Sequence, residues 1–598
     1  MSFASKIFST RAKHDAGEAS VDVKYPRMFL NIIGCFIAGY VYFYMLLYSE
    51  RPLTLDILFS IFLAELCRWA NAKRRSHSDL QEADDDPGLL EKGRSGGKKV
   101  DSIAAIVGYR EDPELFTRAL ESYLDAEHCR FILVSIDGDD TEDQEMINVF
   151  KKVYSENSAE IHFDLPFAEV ALQMDRARST ATTDDEIISK CVTIAKNALQ
   201  SNNIVIRGKG AVTRLCVSQP HMHKKGIMFT SFIVSLAIAE ILGIEMLWSS
   251  DSDSLVFPDT LSRTMATFAA DPKIGGASTS LFVHNKDETI LTQLGSAVYL
   301  NEQYLARSFT GAAAASDCQS GPCAAFRLKA LRTELITWYK QSVFGHWMVC
   351  LSLTSLGASN TVIRLFNEDR HLTTCLLRKG WRVVYVSDVF ACTDTPTTLR
   401  RWLLQQVRWS RSVHVESFHR PSVYIMQSPI LFFACLKREF EALIMPVTVL
   451  LYVTTGFVLF RTVSFQDYFR RRFFTMLYLS LRNPYRPTFV EWLWTIPGNL
   501  FYTIPLPAIL TWSLLTPLHD SWGTTMRSSK ELSTQSSKLR LKLWEVGFFV
   551  VWMGILGGAT GRFIGGMFML NPTEMNLCVL LGAVPVWSLF TLWMVIAE

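Results

Sequence analysis

Acids, cations and flat rings capable of chemistry recur in a few short stretches along the middle of this 598-residue chain. Asp251-Ser252-Asp253 sets two carboxylates two residues apart behind an apolar run, Ile244 to Trp248. At a strand end such a pair can hold a hard divalent cation that bridges diphosphate oxygens, although Asp-x-Asp also arises by chance. Asn367-Glu368-Asp369-Arg370 places adjacent acids at the start of a helical stretch, Leu372 to Arg378. They either complement the helix dipole or offer a base for an attacking hydroxyl. Gln405-Gln406-Val407-Arg408-Trp409-Ser410 joins an amide, a fixed charge and a large ring. That set suits a pocket gripping phosphate and stacking on a sugar, and equally an amphipathic helix at a bilayer surface.

Weaker candidates lie upstream. Tyr109-Arg110-Glu111 and Asp137-Gly138-Asp139-Asp140 each follow an apolar run, where α/β sheets bind ligands, yet Asp-Gly is also an ordinary turn former. Gln219 to Gly226 is a basic loop whose Lys224 could meet phosphate; its His221 and His223 read as a metal pair or, more plainly, as a solvated loop. Cys318 and Ser320-Gly321-Pro322 mark a tight turn beside Ala312 to Ala315.

These residues need a scaffold. From residue 101 short apolar runs alternate with helical stretches, which predicts an α/β domain with a largely parallel sheet. Ser102 to Gly108, Phe131 to Ile136 and Ile204 to Ile206 read as strands and Pro113 to Leu124 as a helix, while 141–200 is acidic and weakly patterned. On either side the chain is apolar. Met28 to Tyr48 reads as a membrane helix, and Leu53 to Trp69 as a second span or, given Asp56 and Glu65, an amphipathic helix. Basic residues on both outer flanks make the pair a hairpin with cytosolic ends. Pro429 to Ile444, broken by Lys437-Arg438-Glu439, suits an interfacial helix. Membrane candidates follow near 442–460, 493–515, 544–567 and 576–597. Arg470-Arg471-Arg472 would then fall outside, so either a short crossing lies near 473–482 or the positive-inside rule is broken here.

Composition agrees with a composite protein: 49% hydrophobic, 12% aromatic, 20% charged, mean hydropathy +0.16. A net charge of +2 argues against a nucleic-acid binder. The 12 cysteines form no CxxC pair or metal spacing, as expected of reduced thiols. The polar first 27 residues do not read as a cleavable secretory signal. The expected organisation is a tail (1–27), a membrane hairpin (28–70), a linker (71–100), the α/β domain (101–420), an interfacial helix (421–441) and a membrane region of about four helices (442–598).

Asp137, Asp251-x-Asp253, Glu368-Asp369 and Gln405-x-x-Arg408-Trp409, in this order and framed by membrane segments, resemble the processive family 2 glycosyltransferases: hyaluronan, chitin and cellulose synthases. Hyaluronan synthases look closest, through Val107 to Asp112, Ser135 to Asp139, Cys216 to His221, Ser320-Gly321-Pro322, Gln405 to Ser412 and Trp522-Gly523-Thr524, and fungal hyaluronan-synthase-like transferases fit as well. Two departures flank the acceptor pocket. Asn367-Glu368-Asp369-Arg370 stands where hyaluronan synthases show Gly-Asp-Asp-Arg, and Cys323-Ala324-Ala325-Phe326 follows the Ser-Gly-Pro turn.

The resemblance implies a GT-A type domain, a UDP-sugar donor, a divalent cation (magnesium or manganese) and inverting transfer to a growing polysaccharide exported across the plasma membrane. Tyr109, Arg110, Glu111 and Asp137 would hold the uridine side of the donor. Lys224, Asp251, Gln405 and Arg408 would face its diphosphate, with Asp251 and Asp253 on the metal. Asp369 would be the base beside Glu368, and Trp409 the floor under the acceptor, flanked by Cys318, Ser320 and Gly321. Trp522, Thr524 and Arg527 would sit on a cytosolic gating loop near 518–530. A non-processive transferase making a glycolipid is the alternative; the resemblance leaves the sugar and the oligomeric state open.

Overall fold

The computed structural model describes residues 25–85, 100–178, 182–340 except 270, 368–517 except 461 and 486, and 539–596. Residues 1–24 of the expected tail, residues 86–99 of the expected linker, Asn367 and the 518–530 loop with Trp522, Thr524 and Arg527 lie outside the described residues.

Runs of Val, Ile, Ala and Leu too continuous for a half-exposed strand make the centre of a parallel sheet. Nine strands, β1 (Ser102–Gly108), β2 (Cys129–Asp137), β3 (Ser158–His162), β4 (Arg214–Gln219), β5 (Met246–Asp251), β6 (Leu255–Val256), β7 (Ile274–Val283), β8 (Ala324–Arg327) and β9 (Arg382–Thr393), form one sheet in the order β3-β4-β2-β1-β5-β8-β7-β9-β6. From β3 to β5 all pairings are parallel; β8 runs antiparallel to β5 and β7. Along β1 the side chains alternate between two cores, Ile103, Ala105 and Val107 on one face and Ala104 and Ile106 on the other. Helices cover both faces, as such a sheet requires.

Several expectations need correction. Ile204 to Ile206 is not a strand: Ile204 N donates to Leu199 O and closes the preceding helix, leaving three residues too few to join the ladder. The weakly patterned 141–200 stretch holds the Gln144–Val153, Phe167–Arg176 and Asp184–Ser201 helices and β3. The basic loop is short, because the His223–Leu242 helix begins inside it and is buried from Gly226 to Ala239. That helix is apolar enough to cross a membrane, yet it packs within the α/β core.

Outside the sheet, the Tyr25–Tyr48 helix matches its expected span, whereas the Pro52–Asp85 helix runs 34 residues, through the start of the expected linker. The two acids within the expected Leu53 to Trp69 span are matched by cations. Asp56 lies 3.1 Å from Arg471 and 3.4 Å from Lys437; Glu65 lies 2.8 Å from Arg482. The expected interfacial helix and the first crossing after it are one helix, Pro429–Thr455. The Phe465–Arg482 helix follows, so a helix does cover 473–482, and the arginine triplet sits in its first half. Arg471 reaches Asp56 and Arg472 donates to Asn499 Oδ1 at 2.7 Å. This helix runs parallel to Pro52–Asp85, with Asp467 at the latter's start and Arg482 beside Glu65.

The 493–515 candidate is broken in the structure. It divides into the Phe489–Thr503 and Leu506–Leu515 helices, which pack on the Ile290–Asn301 and Leu399–His419 helices of the α/β domain. At 1.5 Å per residue they are roughly 22 and 15 Å long, short of the roughly 30 Å hydrocarbon thickness. Leu539–Met567 and Pro572–Ile596 form a close pair, both long and apolar enough to span.

Candidate active site

Parallel strands end together, so the residues just past β2, β1 and β5 share one edge of the sheet. Asp137, at the end of β2, is 1% exposed. Its Oδ1 accepts from Met222 N (2.9 Å) and Gln219 Nε2 (3.3 Å), and its Oδ2 lies 2.8 Å from His221 Nδ1. The His221 ring lies against Tyr109, centroids 4.5 Å apart and planes 31° from parallel. Asp137 thus fixes an imidazole, and the imidazole backs a phenol ring, leaving a flat aromatic wall. His221 was legible only as half of a histidine pair in a loop; its partner is supplied by a strand 84 positions away in sequence, which no local pattern reveals.

Arg110 takes a left-handed φ of 47° and sends its guanidinium to Asp140 (2.9 Å), Glu142 (2.6 Å) and Asp143 (2.9 Å). It pins the loop after β2. Glu111 accepts from Ser252 Oγ at 2.9 Å and so holds the residue between Asp251 and Asp253.

The charged centre is compact. Lys224, in the first turn of the His223–Leu242 helix, lies 2.8 Å from Asp251 Oδ1, 3.0 Å from Asp251 Oδ2 and 3.6 Å from Glu368 Oε1. Burial works against its charge, but Asp251, Asp369 and Glu368 hold the ammonium above the ordinary lysine value. Asp369, in the first turn of the Glu368–Lys379 helix, accepts from Gly321 N at 3.1 Å. Burial pushes its carboxyl up, Glu368 and Asp251 add to the rise, Lys224 and Arg408 oppose it, and the value settles at about 7. A base titrating near neutral pH is well matched to proton transfer. Gly321 is glycine for lack of room: a Cβ there would stand 2.9 Å from Asp369 Oδ2 and 3.0 Å from both Asp251 Oδ2 and Lys224 Nζ.

Among the described residues no three His, Cys, Asp or Glu side chains are grouped to hold a metal. Asp251 and Asp253 fit a cation of the magnesium kind nonetheless, since such ions take one or two carboxylates and complete their shell with water and substrate phosphates.

The Leu399–His419 helix carries the third group. Gln405 Oε1 is buried without a hydrogen-bond partner among the described residues, an acceptor that needs a donor. Trp409 is 40% exposed, with its ring edge-on to Tyr299 at 6.4 Å. Tyr109, Asp137, His221, Lys224, Asp251, Asp253, Glu368, Asp369, Gln405, Arg408 and Trp409 line one cavity of about 2120 Å³, together with Cys318, Ser320 and Gly321. The cavity continues past Trp409 to Tyr42, Asp56, Arg471, Arg472 and Tyr502 on the apolar helices. Sequence reasoning missed Arg307, which donates to Ser320 Oγ and Cys318 O and so holds this turn.

Residues 234–412 match the family model described as Glycosyltransferase like family 2. The chain is 26% identical over 340 residues to hyaluronan synthase 3 of Xenopus laevis, covering 54% of this chain and 51% of that protein. It is 27% identical over 327 residues to the Homo sapiens hyaluronan synthase 3, covering 51% and 49%. To an N-acetylglucosaminyltransferase of Rhizobium meliloti it is 29% identical over 286 residues, covering 46% and 61%. The chain thus spans about half the length of the hyaluronan synthases it matches. A mannosyltransferase from Pyrobaculum calidifontis, solved with GDP-Man and Mn2+, aligns with TM-score 0.35 and 13% identity over 73% of this chain and 98% of that one.

Proposed function

We propose that this chain, which carries a family 2 glycosyltransferase domain and is homologous to hyaluronan synthases, is a membrane-embedded, inverting, processive glycosyltransferase that builds and exports a polysaccharide from UDP-sugars. One observation carries the reading: a single cavity joins the Tyr109–Asp137 wall, the Asp251–Asp369 centre and Trp409 to the apolar helices. At about 2120 Å³ it exceeds the roughly 300–1,000 Å³ of an ordinary ligand pocket, leaving room for a donor and several acceptor units.

In this mechanism the nucleotide rests against Tyr109 and the His221 ring that Asp137 orients. Asp251 and Asp253 would hold a divalent cation, which would supply positive charge to offset that of the diphosphate. Lys224 and Arg408 add fixed positive charge where the leaving group develops its own. Asp369 removes the proton from the acceptor hydroxyl. The hydroxyl oxygen bonds to the anomeric carbon from the face opposite the diphosphate, and the electron pair of the breaking bond leaves with UDP. Trp409 supports the acceptor ring, aligning the hydroxyl and the anomeric carbon for direct attack. The catalytic domain would face the cytosol and the product would leave across the plasma membrane.

The test is the purified full chain in lipid nanodiscs, given a panel of UDP-sugars with magnesium or manganese, with UDP release and product size both measured. A metal-dependent ladder of long products sensitive to a linkage-specific hydrolase is expected. A single lipid-soluble glycoside would mean the non-processive alternative; no UDP release from any donor would overturn the reading.

A further inference from the structure

Between Asp317 and Gly321 every residue is tethered. Asp317 Oδ2 accepts from Arg370 and Arg438, each at 2.7 Å. Cys318 O and Ser320 Oγ accept from Arg307. Gln319 Nε2 donates to Ala277 O and Ala325 O on β7 and β8, and its backbone N donates to Thr373 Oγ1. Gly321 N reaches Asp369 Oδ2. The strap begins on an ion triad and ends on the proposed base. Arg370, the residue after Asp369, also donates to Asp317 O, so the first turn of the Glu368–Lys379 helix is held at both faces.

The third member lies elsewhere. Arg438 belongs to the Pro429–Thr455 helix, which leaves the catalytic domain and packs against the Tyr25–Tyr48 helix. Asp317 is 8% exposed, and Arg438 Nε and Nη2 and Arg370 Nε are buried without partners among the described residues. One carboxylate oxygen therefore bridges two guanidinium groups from two different structural units, with the Arg370 side chain 13% and the Arg438 side chain 29% exposed. Glu302 and Glu441 also act on Arg438, but Asp317 Oδ2 is the atom that both guanidinium groups contact, and partly buried charges lose their match when such a triad separates.

We infer that Asp317 is a positioning residue: it ties Arg370, and with it the base Asp369, to Arg438 on the helix that leads into the apolar bundle. The geometry of the base then depends on where that helix sits, so movement of the bundle around an emerging product is felt at the reacting hydroxyl. The inference rests on the reading of Asp369 as base.

The experiment uses full-length protein in nanodiscs and the UDP-sugar that the wild type turns over. Asp317→Asn and Arg438→Met are expected to lower kcat for transfer about 100-fold, the effect of a small misplacement of a reacting group, with donor KM within about twofold of wild type. Arg438→Lys, which keeps the charge, is expected to recover most of the turnover. The double variant Asp317→Asn/Arg438→Met removes both charges together and keeps the comparison usable if a single variant fails to fold; it is expected to bind donor normally and turn over slowly. Undiminished kcat in the single or double variants, or donor KM rising in step with the loss of kcat, overturns the inference. An active Asp369→Asn variant would instead overturn the assignment of the base, whatever the triad variants do.

Discussion

Gly321 and Asp369, 48 positions apart in sequence, meet through a backbone hydrogen bond of 3.1 Å from the glycine N–H to the carboxylate. The absent side chain of Gly321 is as important as its amide. A methyl group there would press within about 3 Å of Asp369, Asp251 and Lys224 at once. Gly321→Ala is therefore expected to lower kcat by roughly 10–100-fold through displaced charges while leaving the fold intact. Steady-state kinetics beside a thermal melt check this; unchanged kcat would show that the three groups yield without consequence.

Burial and two neighbouring acids hold the Asp369 carboxyl at about 7. With Asp369 as the proposed base the working form would be the carboxylate, so kcat/KM is expected to rise with pH through that region and level off above it. The group is protonated, and the enzyme idle, on the acid side. Asp369→Asn should abolish transfer with nucleotide binding retained. A pH–rate profile with no acid limb between about pH 6 and 8 would remove Asp369 from the role of base.

How much of this was readable in the chain depended on distance along it. Tyr109, Asp137 and Asp251 were placed correctly at strand ends because each follows an apolar run that must stop. The Glu368–Lys379 helix announced itself by its acidic start. The His223–Leu242 helix did not, since a helix buried all round has no amphipathic stripe. Phe489–Thr503 and Leu506–Leu515 were read as one crossing because their break, Ile504-Pro505, interrupts hydrophobicity not at all. Arg471, which stood in conflict with the expected crossings, is paired with Asp56, 415 positions earlier. Pairings of that span leave no local trace.

Asp137, His221 and Tyr109 form a relay of position: carboxylate to imidazole at 2.8 Å, imidazole to phenol ring at 4.5 Å. His221→Ala removes the middle member and frees Tyr109 to tilt. Donor KM is expected to rise about tenfold with kcat little changed, the signature of lost ground-state binding. His221→Phe, which restores a flat ring without the hydrogen bond, should recover part of the loss. Equal KM values in all three proteins would dismiss the wall.

Asp467 does for the hairpin what an N-cap does for a helix. Its carboxylate accepts from Leu53 N (2.6 Å), Thr54 N (3.1 Å) and Thr54 Oγ1 (2.5 Å) at the start of the Pro52–Asp85 helix, and it is fully buried. Asp467→Ala leaves those donors without their acceptor and is expected to cost about 1–2 kcal/mol. A lower melting temperature in detergent, with donor KM unchanged, is the outcome to look for; an unshifted melt would mean that water replaces the cap.

In the proposed mechanism Trp409 would separate two fates of the donor. Water can attack the anomeric carbon wherever the donor is bound, whereas an acceptor sugar needs a surface that fixes its hydroxyl. The indole, half-exposed in the cavity and braced edge-on by Tyr299, offers that surface. Trp409→Ala is thus expected to slow elongation by roughly 100-fold while donor hydrolysis to free sugar and UDP falls far less. The measurement is the ratio of polymer-bound to free labelled sugar per UDP released. A variant that loses both reactions equally would place the ring on the donor side of the cavity, and one that loses neither would leave the acceptor held by something else.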